Sequence, residues 1–292
     1  MRISVILPAK NEAHSLPALL GDLRKQVPGA EIIVVDDGSS DNTAATAEAG
    51  GARVIRHRYS MGNGAAVKTG ARNAQGEVLV FMDADGQHSP ADIPAMLGAL
   101  EEGFDLVVGT RSGQAHASFA RRLANGIYNR LASWLTGHPI RDLTSGFRAV
   151  RATRFRDFLS LLPNGFSYPT TSTMAFLRSG YAVAFVDVNV RVRRVGSSSH
   201  IKPLRDGGRF FLIIFKMATL YSPLKIFVPA SLTFFACGVW YYAYTYTTSG
   251  RFTNFGVLLI ITSILVFLIG LVSEQITGLI YSNLAKTHDP DD

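Results

Sequence analysis

The uneven placement of charge is what most restricts the fold of this 292-residue chain. Two runs carry no charged residue: Ile226–Thr247, with 22 residues, and Phe255–Ser273, with 19. Each comes close to the roughly 20 residues that a helix needs to cross a hydrocarbon core of about 30 Å. Tyr241, Tyr242, Tyr244 and Tyr246 crowd the end of the first run, as expected at a membrane interface. Residues 1–200 instead carry charges throughout. The chain is therefore predicted to hold a soluble domain over 1–200 and a juxtamembrane segment over 201–225. Two transmembrane helices would follow within 226–282, then a short tail, 283–292.

The segment before the first run contains Lys202, Arg205, Arg209, Lys216 and Lys225, whereas the connector between the runs has only Arg251. By the positive-inside rule both ends of the hairpin face the cytoplasm. Arg205–Tyr221 mixes Phe210, Phe211, Ile213, Ile214 and Phe215 with Arg209 and Lys216. It is too polar to span, and it suits an amphipathic helix lying against anionic lipid head groups. Glu274 and Gln275 then fall at the cytoplasmic end of the second run. No signal peptide is read at the start, because Ile3–Leu7 already resembles a buried strand. The single cysteine, Cys237, excludes a disulfide within one chain and fits a reducing compartment. A formal net charge of +7 suits phosphorylated substrates or anionic lipid. With neither zinc-ligand spacing nor an RNA-binding signature, nucleic acid is not an expected partner.

Within the soluble part, short apolar runs read as buried parallel strands: Ile3–Pro8, Glu31–Asp36, Arg53–Arg56, Val78–Met82 and Asp105–Gly109. Helical patterns separate them, from Ala13–Gln26, from a cap at Asp41 or Asn42, from Asn63 and from Ser89-Pro90. Such alternation predicts an α/β domain with a mostly parallel sheet. In that architecture ligands bind beyond the carboxyl ends of the strands. Those ends carry Pro8-Ala9-Lys10-Asn11-Glu12, Asp36-Asp37-Gly38-Ser39 and Asp83-Ala84-Asp85-Gly86-Gln87. Polar, mostly acidic groups thus gather on one edge of the sheet.

Asp83 and Asp85 follow a buried strand directly, and two residues apart in extended chain face one side. Two hard oxygen ligands with open positions suit Mg²⁺ or Mn²⁺ holding a diphosphate, and Gln87 offers a further oxygen. The plainer alternative is an Asp-x-Asp turn that caps the next helix. Asp36 and Asp37 offer a carboxylate to a base or ribose, or turn chemistry, or both. Gly62-Asn63-Gly64 lacks the full dinucleotide spacing and reads as a backbone approach to phosphate or sugar, with Lys68 a turn beyond. His88, after the acidic motif, is the histidine placed nearest to this chemistry.

Leu7-Pro8-Ala9-Lys10-Asn11-Glu12, Val34-Val35-Asp36-Asp37-Gly38-Ser39, Gly62-Asn63-Gly64-Ala65 and Asp83-Ala84-Asp85-Gly86-Gln87-His88 together resemble a family-2 glycosyltransferase of GT-A fold. Asp142-Leu143-Thr144-Ser145-Gly146-Phe147-Arg148 and Arg194-Val195-Gly196-Ser197-Ser198-Ser199 resemble its polyprenyl-phosphate branch, of which dolichol-phosphate mannose synthases are the best-known members. The resemblance implies a Rossmann-like nucleotide-diphospho-sugar transferase domain, then an interface helix and a membrane hairpin. It implies nucleotide and donor contacts from Pro8, Asn11, Glu12, Asp36, Asp37, Lys68, Asp83 and Ala84, and metal ligation by Asp83, Asp85 and Gln87. Asp85, Arg111, Ser145 and Arg148 would serve the reacting centre, and Arg121, Arg122, Arg194 and Ser197 the acceptor or its phosphate. The implied reaction is inverting transfer of a hexose, mannose or glucose, from GDP-mannose or UDP-glucose to a polyprenyl phosphate at the cytoplasmic membrane face. Two spans depart from relatives with none, one or four, so homo-oligomerisation is left open. A polysaccharide synthase of the same fold would carry Gln-x-x-Arg-Trp, and neither Trp134 nor Trp240 has that context. A non-catalytic scaffold would not need both Asp83 and Asp85.

Overall fold

The computed structural model describes residues 1–111, 119–165, 167–189, 215, 219–251 and 253–286, without the side chains of 111, 119–124 and 283–286. Seven strands form one sheet in the order β3-β2-β1-β4-β6-β5-β7. They are β1 (Ile3–Ala9), β2 (Glu31–Asp36), β3 (Arg53–Arg56), β4 (Val78–Phe81), β5 (Leu106–Arg111), β6 (Arg148–Arg151) and β7 (Val183–Val188). Strand β6 runs antiparallel to β4 and β5, and the other pairings are parallel. Strands β1, β2 and β4 are buried almost end to end, as strands covered on both faces must be.

The covering helices are α1 (Leu16–Gln26), α2 (Thr43–Ala49), α3 (Asn63–Asn73), α4 (Ile93–Glu101), α5 (Phe119–Thr136), α6 (Ala152–Asp157) and α7 (Tyr168–Arg178). Leu16, Leu19, Leu20 and Leu23 form the buried face of α1, as their spacing requires. That helix begins three residues later than its apolar pattern suggests, because Ala13–Ser15 form a turn. Ser15 Oγ lies 2.8 Å from both Glu12 Oε2 and the Ala84 carbonyl oxygen, so its hydroxyl serves the site edge and does not cap α1.

Register explains how the site edge is assembled. Ala9 pairs with Asp36, so β1 and β2 end level, while Phe81 pairs with Ile6 and β4 ends sooner. The chain leaves the sheet at Met82 and turns at Ala84-Asp85. Antiparallel β6 enters from this same edge, with Arg148 opposite both Phe81 and Val108. Residues 142–147 are thereby brought beside 83–85, although about sixty positions separate them along the chain.

Contacts divide the chain into two compact units, Met1–Ser199 and His200–Asp292. The second holds α8 (Pro223–Ser249, 27 residues) and α9 (Asn254–Lys286, 33 residues). Both are long and apolar enough to cross a membrane, each holding an 18-residue stretch of mean hydropathy 1.4 and 2.9 respectively. Leu232, Trp240, Leu258, Ile264 and Val272 are among the apolar side chains they leave exposed. Between the two helices the contacts are small: Ser231 Oγ donates to the Ser263 carbonyl at 2.9 Å, and a Cβ on Gly270 would lie 2.5 Å from Phe227 Cβ. Small residues that let backbones approach are the usual means of packing where lipid removes the hydrophobic drive. Apart from 215 and 219–221, the predicted amphipathic segment 205–221 lies outside the described residues.

Candidate active site

A cavity of about 520 Å³ opens at the carboxyl ends of β1, β2 and β4, the edge that the strand pattern marks for ligands. Pro8, Glu12, Asp37, Asp83, Ala84 and Asp85 line it. Three acidic segments far apart in sequence are thus neighbours in space. Asp83 and Asp85 share the cavity for a reason other than extended chain. Ala84, 2 % exposed, is tucked inward, and Gln87 N–H donates to Asp85 Oδ1 at 3.0 Å, closing a turn. Gln87 itself is not part of the cavity wall.

Asp37 is buried, and its carboxylate is fully engaged. Oδ1 accepts Met61 N–H at 2.7 Å and faces His57 Nδ1 at 2.8 Å. Oδ2 accepts Ser60 Oγ at 2.8 Å and Gly62 N–H at 2.9 Å. Burial alone would raise its pKa, but bonds from His57, Met61, Gly62 and Ser60 outweigh that and hold it below the usual aspartate range. The residue therefore shapes loop 57–62, and one edge of it borders the cavity. Asp36 accepts Ser39 N–H at 2.9 Å, forms an ion pair with Arg56 Nε at 3.4 Å and does not line the cavity. Asn11, with φ at 57°, accepts Ser40 N–H at 2.8 Å and likewise braces the loop after β2.

Lys68 does not line the cavity either. Its Nζ donates to the Leu162 carbonyl at 2.9 Å and to Asn164 Oδ1 at 2.5 Å. Gly62 and Asn63 line the cavity, and the two glycines also meet a neighbouring segment of the chain. A Cβ on Gly62 would fall 2.4 Å from Asn164 O, and one on Gly64 2.1 Å from Pro163 O. The glycines admit the chain's own backbone.

Among the 142–148 residues, Thr144 and Gly146 face the cavity, while Ser145 is fully buried between them. Arg148 is 0 % exposed. Its Nε donates to Ser145 O at 2.7 Å, Nη1 to Ser172 Oγ at 2.8 Å and Thr173 Oγ1 at 2.7 Å, and Nη2 to Leu143 O at 3.3 Å. Burial lowers its pKa to about 10, which still leaves it cationic at neutral pH. Arg148 stands behind the cavity wall and ties residues 143–145 to α7. The side chains of Arg111, which ends β5, and of Arg121 and Arg122, in α5, lie outside the described residues, as do Arg194 and Ser197.

Sequence reasoning passed over Tyr168 and Pro169, at the start of α7, although both line the cavity. Tyr168 is 1 % exposed, and its hydroxyl donates to Gly146 O at 3.3 Å. Burial first, and then the charge of Asp83, push its pKa well above the ordinary tyrosine value, so it keeps its proton. Ser167-Tyr168-Pro169 did hold a signal, that of a helix start with proline in the first turn. His88, 4 % exposed, stacks on Phe147 at 5.1 Å between centroids and is not a cavity residue.

A mixed sheet whose acidic strand ends converge on one cavity fits the GT-A architecture of glycosyltransferases. The comparisons sharpen this. The model of glycosyl transferase family 2 matches residues 4–159, and that of the GtrB C-terminal hairpin matches 222–279. Glycosyltransferase AglJ of Haloferax volcanii is 31 % identical over 229 residues, covering 77 % of this chain and 75 % of that one. Undecaprenyl-phosphate mannosyltransferase of Micrococcus luteus is 33 % identical over 215 residues, covering 68 % and 87 %. Glucosyl-3-phosphoglycerate synthase from Mycobacterium tuberculosis, solved with Mn²⁺, uridine diphosphate and glucosyl-3-phosphoglycerate, is 27 % identical with a TM-score of 0.55, covering 74 % and 78 %. The chain belongs to glycosyl transferase family 2. It is a glycosyltransferase whose C-terminal hairpin marks it as a membrane protein.

Proposed function

We propose that the protein transfers a hexose, mannose or glucose, from a nucleotide diphosphate sugar to a polyprenyl phosphate at the cytoplasmic membrane face, with inversion at the anomeric carbon. The observation that carries this reading is the single cavity shared by Asp83, Asp85, Glu12 and Asp37 in a chain that ends in the matched hairpin. Relatives named for undecaprenyl-phosphate and polyprenol substrates support the lipid acceptor. The same names favour mannose as the sugar, with GDP-mannose the donor proposed for it, and the neighbour solved with uridine-diphosphate-glucose favours UDP-glucose.

The donor set fits a catalytic divalent cation. Among the described residues no group of three or more His, Cys, Asp or Glu side chains could hold a metal. Two carboxylates leave most coordination positions to diphosphate oxygens and water, which is how Mg²⁺ is commonly bound and unlike a closed zinc site. Bound between Asp83 and Asp85, Mg²⁺ or Mn²⁺ would offset charge on the departing nucleoside diphosphate. Pro8 and Glu12 border the end of the cavity assigned to the nucleoside, and Asp37 fixes loop 57–62 beside it. Thr144 and Gly146 also line the cavity, Gly146 beside Asp83, where the sugar would meet the acceptor. A lipid phosphate is already ionised at neutral pH, so no side chain need deprotonate it, and His88 has no proton to take. The chain's task is positioning and charge neutralisation. Arg111, Arg121, Arg122, Arg194 and Ser197 are the residues proposed to meet the acceptor and its phosphate. Ser145 and Arg148 are proposed to act by holding the wall that Thr144 and Gly146 present.

The test is transfer from a panel of nucleotide sugars to polyprenyl phosphate by purified protein with Mg²⁺ or Mn²⁺. Labelled lipid should form with a GDP- or UDP-sugar and disappear in EDTA. Undiminished transfer in EDTA would remove the metal from the account.

A further inference from the structure

The region between α6 and α7 joins two parts of the cavity that the sequence keeps apart. Segment 162–165 lies on the first turn of α3. Ala65 N–H donates to Asn164 O at 3.1 Å, and Lys68 Nζ grips Leu162 O and Asn164 Oδ1 from the next turn. Gly62 and Gly64 have no room for a Cβ because Asn164 O and Pro163 O occupy it. This seat is continuous with the nucleoside end, since Gly62 N–H also donates to Asp37. Downstream, α7 opens with Tyr168 at the carboxylate end. A Cβ on Gly146 would lie 3.1 and 3.4 Å from the two Asp83 oxygens and 3.4 Å from the Tyr168 hydroxyl. Asp83, Gly146 and Tyr168 therefore meet at one point.

We propose that segment 162–165 is a positioning bridge, locked by Lys68, that sets Tyr168 against Gly146 and Asp83 and so couples nucleoside binding to the carboxylate that holds the metal. Lys68 is then a positioning residue acting through Tyr168 and has no direct part in donor binding. The inference rests on the reading of Asp83 as a metal ligand.

The bridge predicts a defect in metal use that a general loss of stability would not reproduce. The full-length protein in detergent is titrated with MnCl2 at fixed GDP or UDP, and the thermal shift gives the Mn²⁺ concentration for half response. Lys68→Met should raise that concentration tenfold or more, and Lys68→Arg, which keeps a donor for both oxygens, should restore it to within about threefold. Tyr168→Phe should raise it similarly, and the double variant Lys68→Met/Tyr168→Phe should add little to either single change. If Lys68→Met does not fold, Tyr168→Phe and Asn164→Ala carry the same test. Half-response concentrations equal to wild type in folded variants would overturn the bridge alone. A wild-type protein whose nucleotide response ignores Mn²⁺ would overturn the metal reading, and the bridge with it.

Discussion

Gly146 shows how much one missing side chain can decide. A methyl there would sit 3.1 Å from Asp83 Oδ2, closer than side-chain carbons normally approach oxygen. Gly146→Ala should therefore displace Asp83 without unfolding the domain. We expect its Mn²⁺ requirement for transfer to rise roughly tenfold, equivalent to about 1.4 kcal/mol, with the melting temperature nearly unchanged. Asp37 supplies a pH prediction. Its folded pKa lies below the ordinary value of about 3.9, so its stabilising contribution is complete above that pH. The contribution fades as pH falls through the folded pKa. Wild type should thus melt above Asp37→Asn at pH 7, with the gap narrowing toward pH 3. A gap that widens on acidification would contradict the hydrogen-bond assignment. That Asp83, Asp85, Glu12 and Pro8 share one edge of the sheet and line one cavity was legible from sequence, because all of them follow strand ends of an α/β sheet. The hydrogen-bond partners of Asp37, Lys68 and Arg148 were not, since each residue has partners 20 to 96 residues away.

Among the elements, β1, β2 and β4 were readable because a short unbroken apolar run bounded by turn residues reads as a strand covered on both faces. Strand β6 was not: Arg-Ala-Val-Arg has no local signature, and its pairing with β4 and β5 alone makes it a strand. Helix α7 was equally hidden, for Thr170, Thr171, Ser172 and Thr173 are buried polar residues on a helix of modest propensity. Arg148 accounts for part of that burial, since Ser172 and Thr173 accept its guanidinium. Arg148→Met would leave the Ser145 and Leu143 carbonyls without this donor. We expect a loss of about 3 kcal/mol or more, read as a lowered melting temperature that GDP or UDP with Mn²⁺ only partly restores. An unchanged melting temperature would show that β6 and α7 do not depend on this post.

For the whole molecule, the division at Ser199 separates a unit that holds the entire described cavity from one that holds both apolar helices. A chain ending at Ser199 should keep its thermal response to nucleoside diphosphate and Mn²⁺ and lose transfer to a long-chain polyprenyl phosphate in vesicles. Normal rates with that acceptor would reduce the hairpin to a tether. The membrane hairpin was the plainest feature of the sequence, because length and lack of charge suffice to define it. The most direct test of the central claim uses the full-length protein reconstituted in vesicles with polyprenyl phosphate, a labelled GDP- or UDP-sugar and Mn²⁺. Wild type should form labelled lipid, and Asp85→Asn, inserted and folded to the same extent, should form at least a hundredfold less. Equal rates from the two proteins, or equal rates with and without EDTA, would contradict a reaction built on Asp83 and Asp85.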